Sequence, residues 1–335
     1  MHQLDAKSLA LIHKDCKGKQ HIKLTVGSII NGQKTIHVFD HSGETENKNY
    51  IYEIGSITKT FTASLMVKYI LEGQMSLDDS IAKYLTDLDA QKYYPTLKRL
   101  ATHTSGYSMI LPLTKSEYLK LILSRIFATK NQGLYPFKLD LEKMKMLVQK
   151  HQLQDKDYPW QYSNFGMALL GYAIGIASDK GYWDTMNTFI QQELGLPNTY
   201  TGTCSAKNLP GFTGKNTNCG NWVWNNDLAA PAGDLSSTAD DLLAYAELNM
   251  NDEKPYLSFC HSKQAPIGKG LLKKYDMGLG WLLHKENNHI LWHNGGTGAF
   301  TSYLTFDKNK KVAAVVLANY LIDVNKIGLS ILEAL

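Results

Sequence analysis

The chain has 335 residues, 44% hydrophobic and 20% charged, with 35 basic and 31 acidic side chains and a formal net charge of +4. That composition excludes a disordered chain and gives material for two domains or one large one. The longest basic run is DKNKK at 307–311, so no basic stripe marks a nucleic-acid partner, and the longest apolar run, VAAVVLA at 312–318, is too short to cross a bilayer.

The first residues, MHQLDAKSLALIHKD, have no basic n-region followed by an apolar h-region, so they hold no signal peptide. They leave a cytoplasmic protein or a mature form without its leader, and predict a helix over about 4–15. IKLTVGSIINGQKTIHVF follows, with Asn31-Gly32 between two β-rich runs, the strongest short-range hairpin signal. His41-Ser42-Gly43 then reads as a turn. In IYEIGSITKTFTASLMVKYILEG, Ile51, Tyr52 and Ile54 read as a strand end closed by Gly55. After Ser56, Phe61, Leu65, Met66, Tyr69 and Ile70 recur at helical spacing up to Gly73. Ser56 therefore stands at a strand-to-helix junction.

Helical patterns at 116–128, 139–151, 164–178 and 182–194 fill a long middle region. SSTADDLLAYAELNM opens another helix, with Ser237 and Asp240 as a capping pair. MGLGWLLH, HILWHN, FTSYLTF and KVAAVVLAN are strands joined by short turns, DKNKK among them, and a helix from about 323 ends the chain. The organisation predicted is α+β: one antiparallel sheet built from both ends of the chain (1–60 and 236–335), flanked by N- and C-terminal helices, with an all-helical domain (61–235) inserted. None of the four cysteines, at 16, 204, 219 and 260, forms a C-x-x-C pair, so no structural zinc site is expected. A Cys204–Cys219 bridge would close a loop of about 15 residues, worth roughly 3 kcal/mol. Four reduced thiols are the alternative.

A serine hydroxyl needs a nearby base to act as a nucleophile near neutral pH. Lys59 lies three residues after Ser56, on the same helix face, and the helix N-terminus offers free N–H groups for an oxyanion. S-x-x-K recurs by chance in a chain this long, and Ser80–Lys83 in LDDSIAKYL is a second case. Ser80, just before an apolar run, reads as a cap. In WQYSNFGMALLGYAIG, Tyr162 and Asn164 precede an amphipathic helix. A tyrosine beside a lysine can serve as a phenolate base and an asparagine can orient a carbonyl; a buried Tyr and an N-cap Asn are the plainer reading. In ILWHNGGTGAF, His293 stands at a strand end before glycines that admit a ligand to the backbone.

S-x-x-K, Y-x-N and H-x-G in that order resemble the serine β-lactamase and penicillin-binding superfamily, in its branch of class C β-lactamases, DD-peptidases and esterases. LKRLATHTSGY at 97–107, APAGDLSSTADDL at 230–242 and HNGGTGAFTSYL extend the likeness over about residues 22 to 320. The resemblance implies a β-lactamase/transpeptidase-like fold. It implies Ser56 as acylated nucleophile, Lys59 and Tyr162 as the proton-transfer pair, and Asn164 as ligand to the substrate amide. The N–H groups of Ser56 and Gly296 would form the oxyanion hole, beside Gly295. His293 would replace the lysine of K-T-G. A carboxylate docking there would bind best with the imidazole protonated, fading as pH rises through the ordinary histidine pKa of about 6.5.

No G-x-S-x-G, H-E-x-x-H, G-x-x-x-x-G-K-[ST] or strand-bound G-x-G-x-x-G competes. Trp222 and Trp224 in GNWVWNND wall a cleft or pack in a surface loop. The expectation is a monomeric, extracytoplasmic serine hydrolase without metal or cofactor. It would act on a small-molecule or peptide substrate: D-alanyl peptides or β-lactams first, esters second, with a penicillin-binding sensor of little turnover as the remaining alternative.

Overall fold

A computed structural model describes residues 4–107, 138–201, 208–224, 227–268 and 270–334. Among them one sheet dominates. Its strands are β1 (Leu24–Ile30), β2 (Gln33–Asp40) and β3 (Gly43–Thr45) from the N-terminal end. From the C-terminal third come β4 (Ala265–Pro266), β5 (Tyr275–Met277), β6 (Leu282–His284), β7 (Ile290–Gly296), β8 (Thr301–Asp307) and β9 (Val312–Ala318). The order across the sheet is β3-β2-β1-β9-β8-β7-β6-β5-β4, and the pairings are antiparallel. The two ends of the chain meet where Leu24 pairs Ala318 and Ile29 pairs Ala313.

β9 shows why this sheet reads as an apolar run. Ala313, Val315 and Leu317 face a large core that includes Leu243 and the helix carrying Lys59. Ala314, Val316 and Ala318 face a second cluster with Ile12, Ile327 and Ile331 from the terminal helices. Side chains alternate faces along a strand, so a strand covered on both sides must be apolar at every position. The covering helices are Ala6–Cys16, capped by the Asp5 carboxylate, and Val324–Ala334, joined by Ser8 Oγ and Ser330 Oγ at 3.0 Å. The helix Thr58–Leu71 is buried on all sides from Thr58 to Val67, which makes it the central helix of the fold.

Two expectations are corrected: MGLGWLLH is not one strand but ends β5 and opens β6 with a break at 278–281, and the segment expected to be all-helical carries a two-stranded ladder, Gly211–Phe212 with Asn218–Gly220. Helices occupy Leu141–Lys150 and Asn164–Ala177, and Tyr182–Thr188 runs on into a wider turn at Phe189–Glu193. The 116–128 pattern lies outside the described residues. The helix Ala239–Met250 is capped one residue later than expected: Thr238, not Ser237, accepts the N–H of Asp241, because Ser237 is held in a two-residue ladder with Tyr52. DKNKK is the β8–β9 turn, closed by Asp307 Oδ1 accepting from Asn309 and Lys310. Cys219 is a free thiol donating to Gly211 O at 3.3 Å; Cys204 lies outside the described residues. No helix among the described residues is long and apolar enough to cross a membrane.

Candidate active site

Tyr52–Glu53 pairs with Ser236–Ser237, and the chain must then turn sharply into a helix. Gly55 makes that turn at φ +51, a conformation L side chains resist, and a Cβ there would lie 2.7 Å from Gly296 N. A Cβ on Gly295 would lie 2.0 Å from Ile54 O, which also accepts from Ser302 Oγ at 2.7 Å. The glycines thus let the Ser56 turn and the end of β7 lie back to back. Ser56 falls in the first turn, Gly55–Ile57, where a helix leaves its N–H groups without partners of its own.

Lys59 is wholly buried, with Nζ 2.9 Å from Ser56 Oγ, 2.6 Å from Ala232 O and 4.8 Å from the centre of the Tyr162 ring. Burial holds its pKa well below the ordinary lysine value, because a charge there would lose its water. The shift favours the neutral amine, which carries a lone pair. Burial also pushes the Tyr162 phenol up, outweighing the Ser56 hydroxyl that pulls it down. Burial therefore disfavours the phenolate that a neighbouring lysine could support.

Tyr162 is held from behind. Tyr158 N donates to Thr104 O at 3.0 Å, Gln161 N to His103 O at 2.9 Å and Ser163 N to His103 Nδ1 at 3.2 Å. His103 packs its ring 4.7 Å from that of Tyr162. Since Nδ1 accepts, the proton of His103 sits on Nε2, and burial above all holds the ring's pKa well below the ordinary histidine value. Ser163, not Asn164, caps the helix by accepting from Gly166 N, which frees the Asn164 side chain. Its Oδ1 is buried with no hydrogen-bond partner among the described residues.

His293 stands within β7, not at its end, 1% exposed, its ring 6.4 Å from Tyr162. Its Nδ1 lies 2.6 Å from Asn294 O and so carries the proton, leaving Nε2 a buried lone pair without a partner among the described residues. Burial first, then Lys59, push its pKa down to about 3. The expected protonation near pH 6.5 is overturned: this ring is neutral throughout the physiological range.

The other sequence candidates fall away. Ser80 accepts from Ala82 N as a cap, while Lys83 pairs with Asp79 at 2.9 Å. His41 lies in a turn closed by Asp40. Trp222 is half-buried against Gly298, where a Cβ would lie 2.3 Å from Nε1, and its ring is 5.7 Å from that of Trp224. Sequence reasoning missed His103, Ala232 O and Glu53 as neighbours of the site. His103 was within the quoted THTSG stretch, whereas a backbone carbonyl leaves no trace in the sequence.

A family model described as Beta-lactamase matches residues 26–327. A beta-lactamase of Providencia stuartii is 26% identical over 246 residues, 71% of this chain, which spans 58% of that relative's length. In structure the chain is similar to a class C beta-lactamase, with TM-score 0.76, 20% identity and coverage of 98% and 95% of the two chains. It is equally similar to a D-stereospecific amidohydrolase from Streptomyces sp., with TM-score 0.76, 18% identity and coverage of 96% of each.

Proposed function

The chain belongs to the beta-lactamase family, and from the geometry of its site we propose that it is a serine hydrolase working through an acyl-enzyme on Ser56. The observation that carries this reading is the contact of a buried, charge-depleted Lys59 with Ser56 Oγ at 2.9 Å. Lys59 takes the hydroxyl proton as Oγ attacks the carbonyl carbon. The N–H groups of Ser56 and Gly296 hold the oxyanion, and Asn164 holds the substrate amide. The proton then passes through the Tyr162 hydroxyl to the leaving nitrogen or oxygen, and water attacks the ester so formed by the same path in reverse. Amides are the favoured substrates, as D-alanyl peptides or β-lactams.

One observation favours neutral esters as a second reading. The buried Nε2 of His293 carries a lone pair, which repels a carboxylate. Intact mass after benzylpenicillin exposure, with nitrocefin and short-chain p-nitrophenyl ester assays, separates the two. A penicillin adduct or nitrocefin turnover supports the amide reading; ester turnover with no adduct supports the other. Absence of any acylation of Ser56 by either class sinks the proposed function. In both readings His293 should add no pH dependence to KM between about pH 5 and 8, where it does not titrate.

A further inference from the structure

Glu53 is a buried carboxyl that the acyl-transfer path does not use. It lies three residues before Ser56 and is 5% exposed. Its Oε1 accepts the backbone N–H of Trp222 at 2.7 Å. Its Oε2 is buried without a hydrogen-bond partner among the described residues, and so is the hydroxyl of Thr297. Thr297 and Asn221 nevertheless stand near enough to act on its titration. Thr297 follows Gly296 directly, and its own N–H closes the β7–β8 turn on Phe300 O at 3.1 Å. Across that turn Gly298 lies against the Trp222 indole.

Glu53 therefore sits between the Trp222 segment and the turn that carries the second oxyanion donor. We propose that Glu53 is a positioning residue: it clamps Trp222 to the Gly296–Gly298 turn and so keeps the Gly296 N–H in register with Ser56. The inference rests on the reading of Ser56 and Gly296 given above. A neutral carboxylic acid suits this place, since it can accept from Trp222 on one oxygen and donate from the other to Thr297. Burial pushes the Glu53 pKa up to about 7 from an ordinary 4.5, opposed in part by Thr297, Trp222 and Asn221. The titratable side chain facing it from the Asn218–Gly220 strand is the Cys219 thiol, which is itself raised chiefly by burial. No charged side chain among the described residues enters the causes of its shift.

The test compares the full-length wild type with Glu53→Gln, which keeps an acceptor and a donor, and with Glu53→Leu, which keeps neither. Acylation by benzylpenicillin or p-nitrophenyl acetate would be followed from pH 5 to 9, and melting temperature over the same range. Glu53→Leu should lose tenfold or more in acylation rate at pH 6, with Glu53→Gln within about threefold of wild type. Wild type should fall relative to Glu53→Gln as pH rises through about 7. Its melting temperature should also fall relative to Glu53→Gln between pH 4.5 and about 7, because the folded protein then holds a proton that the unfolded chain has lost. Equal rates in all three proteins, or equal losses in both variants, overturn the clamp; so does a melting gap that does not change with pH. If wild type acylates with neither probe, the hydrolase reading fails, while the melting comparison still decides whether Glu53 is held protonated. Should Glu53→Leu not fold, the Glu53→Gln profiles decide alone.

Discussion

At Ser56 and Lys59, burial and chemistry pull the same way. Water that would stabilise an ammonium is excluded, which favours the neutral amine beside the hydroxyl it is proposed to deprotonate. Ser56→Ala should therefore abolish turnover and covalent labelling. Ser80→Ala should cost only a cap, about 0.5–2 kcal/mol, with activity kept in the folded fraction. A labelled peptide containing Ser80 in a protease digest would refute that division. On the proposed proton path through Lys59 and Tyr162, Lys59→Ala and Tyr162→Phe should each lower kcat by roughly a thousandfold or more, and the double variant little further. Multiplicative losses in steady-state kinetics would show two independent roles.

The element that makes the site is the contact between the Gly55 turn and β7. Gly295 and Gly55 leave no room for a methyl between them and the facing backbone. Gly295→Ala must push Ile54 O away, which overpacking series put at about 1–3 kcal/mol or more. The same shift separates Gly296 from Ser56, so kcat should fall more than KM rises, and an unchanged kcat in the folded variant would deny that this contact sets the oxyanion geometry. The sequence made this junction visible because a period of two changes to helical spacing at Ser56 itself. The sheet was legible for a like reason: β7, β8 and β9 are separated by short polar turns, and burial on two faces explains the lack of alternation in β9. What stayed hidden depends on partners far along the chain. The cap at Thr238 shifted by one because Ser237 pairs with Tyr52, and the neutrality of His293 comes from burial that no local pattern records.

Across the whole molecule, neutral histidines in the interior tie stability to pH. His261 is remote from Ser56: its Nε2 lies 3.0 Å from Asn249 Oδ1, its Nδ1 3.3 Å from Asp252 Oδ1, and Lys308 approaches from the β8–β9 turn. Burial first, then Lys308, lower its pKa to about 4, with Asp252 opposing. His103 and His293 are lowered as well. Below the unfolded value of about 6.5 the unfolded chain binds protons that these folded rings refuse, and each tenfold difference in proton affinity is worth about 1.4 kcal/mol. The histidine contribution is thus complete above about pH 6.5 and drains away as pH falls towards 4. Glu53 works in the opposite direction, between about pH 4.5 and 7, and burial raises the pKa of the Asp227 carboxyl as well. The slope contributed by one histidine is therefore best read by difference. His261→Asn should lose absolute stability, because Asn249 Oδ1 loses its ring partner. Its urea midpoint should nevertheless fall less than that of wild type between pH 7 and pH 4.5, since one group that takes up a proton on unfolding has been removed. Parallel midpoint curves for the two proteins would mean that His261 titrates alike in the folded and unfolded chains, and that its burial does not govern its charge.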